Sequence, residues 1–448
     1  MSTDQLVRLR VAAARSRTAP ATWGQQAIWD AVAGLGADAP RYNVALPLAV
    51  EPGRPVAAML EDLTGLLHLH DSLRTRLLPD DSGRLIQHLD AEGELPVVLR
   101  PGDPDALFAE LLGLPFDTAR EWPLRVGLVE VDGLVRHLVL VLSHTATDGW
   151  GVRRLHQDLI DLSAGLSVPR IRALRPSLQP ADEAVLQQSP RGRRRDEAAR
   201  RYWCERLVSG PGRLFEGSRD TADPERLLPN ARLHSPALAQ AVAQVAAGRG
   251  VSGSSVLLAA VAARQAQLSG GGEALLQVVV NNRFRPGTAQ AVSTLAQEGL
   301  FHLPAADRPF ADLLGRAQSA AFTAYRHAAY DKRLLDQDIA RLRQEPGGVA
   351  DISCTFNDAR IVRADALPAA DEVVPLTRLR ERTRLTWPVE FPQRGPAFTF
   401  AMDALLVPDA VELALTADAA LLPRTGMESF LLGIEELVLA EARALGHE

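Results

Sequence analysis

The sequence predicts an α+β protein built as two halves. Three observations carry this reading. Its 448 residues suffice for two or three folding units. Helical and strand periodicities alternate in both halves. A proline- and arginine-rich stretch near residue 175 separates them, so the predicted division is 1–175 and 176–448.

In the first half, Gln25 to Val32 reads as a helix. Pro55 to Leu69 is a second, with Met59, Leu63, Leu66 and Leu67 at helical spacing. Val135 to Ser143 (VRHLVLVLS) is an apolar, β-rich run ending in polar residues, the pattern of a buried strand that opens onto a surface or cleft. After Gly149, Val152, Leu155, Leu159 and Leu162 restore the helical period. The chain therefore runs strand, short loop at His144 to Gly149, helix. Leu166 to Arg195 holds Pro169, Pro176, Pro180, Pro190 and the basic run from Arg191, and reads as a linker. Asp196 and Glu197 follow at once, which assigns that run to a solvated face rather than to phosphate binding.

In the second half, Ser254 and Ser255 precede an apolar helix, Gly270 to Gly272 break it, and Leu276 to Val280 is a strand. Ile352 to Phe356, Phe398 to Met402 and Val411 to Leu415 are further strands. Thr425-Gly-Met-Glu428 reads as a capping box before a final amphipathic helix.

Composition narrows the function classes. With 46% hydrophobic and 23% charged residues the chain can bury a large core, which excludes a disordered or fibrous protein. Its 49 basic groups, all arginine except Lys332, face 55 acidic ones, and a net charge of -6 argues against nucleic-acid binding. Cys204 and Cys354 form neither a disulfide framework nor a zinc motif. His68 and His70 flank Leu69, but no carboxylate or cysteine cluster supports a metal pair, and no metal site is expected. No signal-like leader and no apolar run of about 18 residues is present, so a cytoplasmic monomer that avoids membranes is expected.

The segment with most chemical content is Ser143-His-Thr-Ala-Thr-Asp-Gly149. His144 leaves the end of a buried strand, where an imidazole can face a cleft and take a proton from an amine or hydroxyl. Asp148, if buried, needs a cation, and arginine suits it. Spacing alone serves a backbone-satisfied histidine equally well. Trp150 beside it reads as core slightly more than as cleft lining.

This segment resembles the H-H-x-x-x-D-G motif of the condensation domains of nonribosomal peptide synthetases. The similarity continues along the chain. Thr22-Trp-Gly-Gln25-Gln-Ala-Ile-Trp29 is similar to S-x-A-Q-x-R-L-W, with Ala27 in the arginine place. His70-Asp-Ser-Leu-Arg74-Thr75 is similar to R-H-E-x-L-R-T, with Leu69 for its arginine and Asp71 for its glutamate. Pro115-Phe-Asp117 with Pro123-Leu-Arg125, Tyr202-Trp203, and Asn282-Arg283 also fall in the family's order.

The resemblance implies a fold of two chloramphenicol-acetyltransferase-like lobes forming a V with a central tunnel. It implies an acyltransferase that forms an amide or ester bond from a carrier-bound thioester. No bound cofactor is implied. The phosphopantetheine arm of an acyl or peptidyl carrier protein brings the acyl group in trans, to an amine, an alcohol or a second carrier. His144 takes the catalytic position. Asp148 holds the loop, with Arg283 the first choice of partner and Arg74 the second, and Gly149 allows close packing. Ser143 replaces the family's first histidine. That replacement keeps open a non-catalytic domain that binds a carrier protein or recruits a tailoring enzyme. Epimerisation fits less well, because that subfamily retains both histidines. A coenzyme A-dependent transferase differs only in its donor.

Overall fold

The structure, a computed structural model, describes residues 4–13, 15–212, 214–215, 227–306, 308–360, 374–388, 390–392 and 398–447. The chain divides into two units: one runs to Arg194 and includes 281–296, and the other comprises 195–280 and 297 onward.

The first unit opens with β1 (Gln5–Ala12), β2 (Arg17–Pro20), α1 (Trp23–Leu35), β3 (Val44–Pro55) and α2 (Val56–Leu69). Strands β4 (Thr75–Pro79), β5 (Leu85–Leu89) and β6 (Glu92–Pro101) follow, then α3 (Pro104–Leu112), β7 (Leu124–Val131), β8 (Leu134–Leu142) and α4 (Gly149–Ser163). Its main sheet has the order β1-β6-β7-β8-β3, and β2-β5-β4 form a small second sheet. The apolar run of β8 has a plain cause, because both faces of the strand are covered. Leu138, Leu140 and Leu142 pack with Leu63 and Leu66 of α2 and with Leu155 and Leu159 of α4. Val139 and Val141 pack with Leu107 and Leu111 of α3 on the other side. Burying each such side chain contributes about 1.5–3 kcal/mol. The strand is thereby fixed and the loop after Leu142 begins from a rigid edge.

The predicted linker is a correction. Residues 168–188 form α5 (Val168–Leu174) and α6 (Pro180–Gln188), and α7 (Pro190–Ser209) follows. The prolines were misleading because Pro169 and Pro180 sit in the first turns of α5 and α6, and Pro190 opens α7. A missing N–H costs nothing there. These helices are tied to the first unit: Arg17 pairs with Asp182, and the Trp23 N–H donates to Gln187 Oε1 at 2.9 Å. The boundary therefore falls after Arg194, within α7, rather than at 175.

The second unit contains β9 (Leu227–Ser235), α8 (Pro236–Arg249), α9 (Gly253–Ser269), β10 (Glu273–Val280), β11 (Gln297–Pro304), α10 (Phe310–Arg326), α11 (Lys332–Leu342) and β12 (Cys354–Asp358). It continues with α12 (Leu376–Arg380), β13 (Arg384–Thr386), β14 (Glu390–Pro392), β15 (Phe400–Val407), β16 (Ala410–Ala417) and α13 (Arg424–Ala444). The sheet order is β11-β10-β12-β15-β16-β9-β13, with β14 also on β9. Helix α9 shows why no amphipathic stripe is visible in its sequence, since Val256 to Ala262 are all buried. The capping box expected at Thr425 does not form: α13 starts at Arg424, so its N-cap is Pro423, two residues earlier, which has no side-chain acceptor. A capping box does form at Thr22 and Gln25, before α1. No single helix among the described residues is long and apolar enough to cross a membrane.

Candidate active site

The loop from Ser143 to Asp148 joins the end of β8 to α4, and each of its polar ends is tied down. Asp148 is the N-cap of α4, where its Oδ1 accepts from the Gly151 N–H at 3.0 Å. The same buried carboxylate receives Arg283 through two bonds, Nη1 to Oδ2 at 2.8 Å and Nη2 to Oδ1 at 2.7 Å. The backbone N–H groups of Leu295 and Ala296 donate to Oδ2 at 3.0 and 3.1 Å. Five donors thus surround one carboxylate, so the burial of its charge is matched by hydrogen bonds throughout. Of the two arginines expected as partners, Arg283 occupies the place. Arg74 lies elsewhere, on Asp71 at 3.2 Å and on the Leu67 carbonyl at 2.8 Å.

The segment 281–296 is the other half of this arrangement. Asn282 turns it with φ 54°, a left-handed conformation that asparagine tolerates, and its Nδ2 donates to the Leu295 carbonyl at 3.0 Å. Arg283 also reaches the Ala291 and Ser293 carbonyls, at 3.1 and 3.2 Å. Thr294 Oγ1 donates to the carbonyl oxygen of His144. The backbone at His144 is therefore gripped on one side by Thr294 and, four residues on, by the Asp148 network.

Two glycines allow this packing. A Cβ on Gly24 would lie 2.0 Å from the Thr294 carbonyl oxygen. One on Gly151 would lie 2.0 Å from Thr147 Oγ1 and 3.3 Å from Val292 Cα. Gly149 is the first residue of α4.

His144 itself is half-buried. Its ring lies 6.1 Å from that of Tyr42, tilted by 46°, and its Nδ1 is buried with no hydrogen bond among the described residues. Ser143 lies just beyond the last residue of β8, so strand alternation does not set its direction. It is buried by the turn, where its Oγ lies 2.8 Å from Thr145 Oγ1 and accepts from the Thr145 N–H at 3.3 Å. Trp150 is only half-buried and lies outside the core cluster that α4 joins. His70, half of the H-x-H pair, instead places Nε2 on Asp158 at 2.9 Å. Sequence reasoning found His144, Asp148 and Arg283 but missed Thr294, Leu295 and Ala296. Two of those three act through backbone N–H groups, which no residue type advertises.

A fold of mixed sheets and helices with this loop defines a class, and the comparisons identify it. The condensation domain family model matches residues 16–361, and the chain belongs to that family. Among curated proteins it is 29% identical over 336 residues to CymA of Salinispora arenicola, a probable nonribosomal peptide synthetase, covering 70% of this chain and 4% of that one. It is 27% identical over 336 residues to the isonitrile lipopeptide synthase of Mycobacterium tuberculosis, covering 70% of this chain and 13% of the other. The chain thus spans a small fraction of these relatives.

Solved structures of similar fold include the condensation domain of chain release from the enacyloxin polyketide synthase (TM-score 0.74, 19% identity, 96% of this chain and 84% of that one). The X-domain from teicoplanin biosynthesis is another (TM-score 0.67, 19% identity, 98% of both). A third is the epimerization domain of tyrocidine synthetase B (TM-score 0.69, 13% identity, 96% and 98%). At these identities the likeness concerns the fold alone, and the fold is that of the chloramphenicol-acetyltransferase-like condensation domains.

Proposed function

We propose that the protein is an acyltransferase that moves an acyl group from the phosphopantetheine thioester of a carrier protein to an amine or alcohol. The observation that carries this reading is His144, set at the head of a loop whose backbone is held by Thr294 and by the five-donor Asp148 network. With Nδ1 enclosed, Nε2 is the nitrogen that exchanges a proton. It takes the proton from the attacking N–H or O–H as the new bond to the thioester carbonyl carbon forms. The tetrahedral intermediate collapses with cleavage of the C–S bond, and the proton passes to the departing thiolate. Nothing in this sequence needs an acyl-enzyme, and holding both reactants in register supplies a large share of the rate. Asp148 acts as a positioning residue, because its oxygens are spent on Arg283 and backbone donors rather than on the His144 ring.

The test is intact-mass analysis of acyl-loaded carrier protein with a panel of amines and alcohols. His144→Ala is expected to abolish product while the melting temperature stays nearly unchanged, since the ring makes no hydrogen bond through its buried nitrogen. Turnover that survives this substitution overturns the reading. Ser143 favours a second reading, in which the domain binds a carrier protein or a tailoring enzyme without catalysis. Carrier binding with no transfer to any acceptor in the panel would establish it.

A further inference from the structure

A second polar site lies in the first unit and shares no lining residue with the loop at 143–149. It is a cavity of about 570 Å³ bordered by α2, α4, α5 and the segment after α5. Five arginines line it, Arg15, Arg74, Arg154, Arg172 and Arg175, against three carboxylates, Asp71, Asp158 and Asp182. Arg15 and Arg74 share Asp71, Arg154 and Arg175 share Asp158, Arg175 also meets Asp161, and Asp182 is taken by Arg17, so positive charge is in excess. Arg172 makes its bond to the His68 carbonyl rather than to a carboxylate.

At the floor sits His70, 3% exposed. Asp158 is flanked by Arg154 and Arg175, which hold it as a carboxylate and hence as an acceptor. The His70 Nε2 at 2.9 Å from Asp158 Oδ2 is then the protonated nitrogen, and Nδ1 carries a lone pair. That Nδ1 is buried without a hydrogen-bond partner, as are Arg175 Nε and Ser177 Oγ on the same wall. The local field agrees with the geometry. Burial and then Arg154 lower the His70 pKa to about 3, and burial and then Arg175 lower that of Arg154 to about 10. Burial, then Arg74 and Arg172, lower His68 as well. Each group is pushed to shed positive charge.

A neutral solute would satisfy Nδ1 but leave the positive excess unmatched. A fully deprotonated anion would match the charges but set a lone pair against Nδ1. We propose that this cavity binds a phosphate that retains a P–O–H, its anionic oxygens on Arg172 and on the unpartnered Nε of Arg175 and its hydroxyl donated to His70 Nδ1. Free phosphate and the end of a phosphate monoester share this chemistry. The proposal is independent of acyl transfer.

The test is calorimetric titration of the whole chain at pH 6, where about half of a phosphate monoester still carries its proton. Inorganic phosphate and methyl phosphate are titrated separately, and the tighter one identifies the source. Sulfate at matched ionic strength is a tetrahedral oxyanion of at least equal charge with no hydroxyl. Saturable binding at one site per chain is expected for at least one phosphate. Sulfate should bind about tenfold more weakly, and Arg172→Gln should weaken phosphate about tenfold, as for the loss of one charge-assisted bond. Arg172 is exposed, so this variant should keep the parent melting temperature, and Ser177→Ala provides a second variant with the same direction of effect. Absence of saturable phosphate binding, equal binding of sulfate, or unchanged affinity in Arg172→Gln would each overturn the proposal.

Discussion

The first unit contains two groups built from histidine, aspartate and arginine, and they are wired in opposite ways. His144 and Asp148 are four residues apart, yet the carboxylate gives its bonds to Arg283 and to backbone N–H groups rather than to the ring. His70 and Asp158 are 88 residues apart and bond directly. Nearness in sequence therefore says nothing about which acid serves which imidazole. In the first group the acid fixes a loop and, among the described residues, gives none of its bonds to the histidine ring. In the second the acid fixes the histidine itself, which burial keeps neutral.

The largest effect that tests this contrast is expected from Asp148→Asn. It removes the charge opposite Arg283, whose side chain is 5% exposed, and an uncompensated buried charge costs on the order of 3–5 kcal/mol. Urea denaturation would measure it. A loss below about 1 kcal/mol would place the stability of the loop in its backbone bonds instead. Gly24→Ala comes next. The added methyl meets the Thr294 carbonyl and must displace the segment that holds His144, at a cost of about 1–3 kcal/mol. Turnover should fall with it, and unchanged turnover would uncouple that segment from the chemistry.

The second group is probed by pH. The folded-state pKa of His70 lies near 3 against 6.5 for the free side chain, so the unfolded chain takes up the proton first. Its stabilising contribution is complete above pH 6.5 and is lost as the pH falls toward 3, by roughly 1.4 kcal/mol per pH unit. The slope of folding stability over that window should be smaller by this amount in His70→Gln. An identical slope would mean that His70 is charged in the folded protein. The smallest effect is expected at Ser143. Among the described residues its hydroxyl bonds only within the turn, so Ser143→Ala should keep near-normal turnover and lose about 0.5–1.5 kcal/mol. A loss of turnover by orders of magnitude in a well-folded Ser143→Ala would give that hydroxyl a part in the chemistry.

How much of this was legible depends on where the information resides. The β8 run and the helical spacing after Gly149 are local patterns of burial, and the structure places a strand and a helix there within a residue or two. The prolines between 166 and 195 carry a local signal of two meanings, breaking a helix or beginning one, and only the packing of α5 and α6 decides between them. At the candidate site, His144, Asp148 and Arg283 were readable as motif residues. The Leu295 and Ala296 donors were not, because any residue but proline presents the same N–H. The cavity around His70 was invisible for another reason. Its arginines come from positions 15, 74, 154, 172 and 175, and no spacing rule links them.

The division between the units bears on how the protein is made. Residues 281–296 belong to the first unit, though β10 and β11 on either side of them belong to the second. During synthesis, a nascent chain that has emerged only as far as Arg194 holds the whole main sheet of the first unit but lacks every partner of Asp148 beyond its own helix cap. The carboxylate must wait, solvated, for another hundred or so residues to leave the ribosome, roughly 5–20 seconds at ordinary elongation rates. The loop bearing His144 is thus among the last parts of its own unit to be completed, and a fragment ending at Arg194 would carry the motif without the structure that gives it shape.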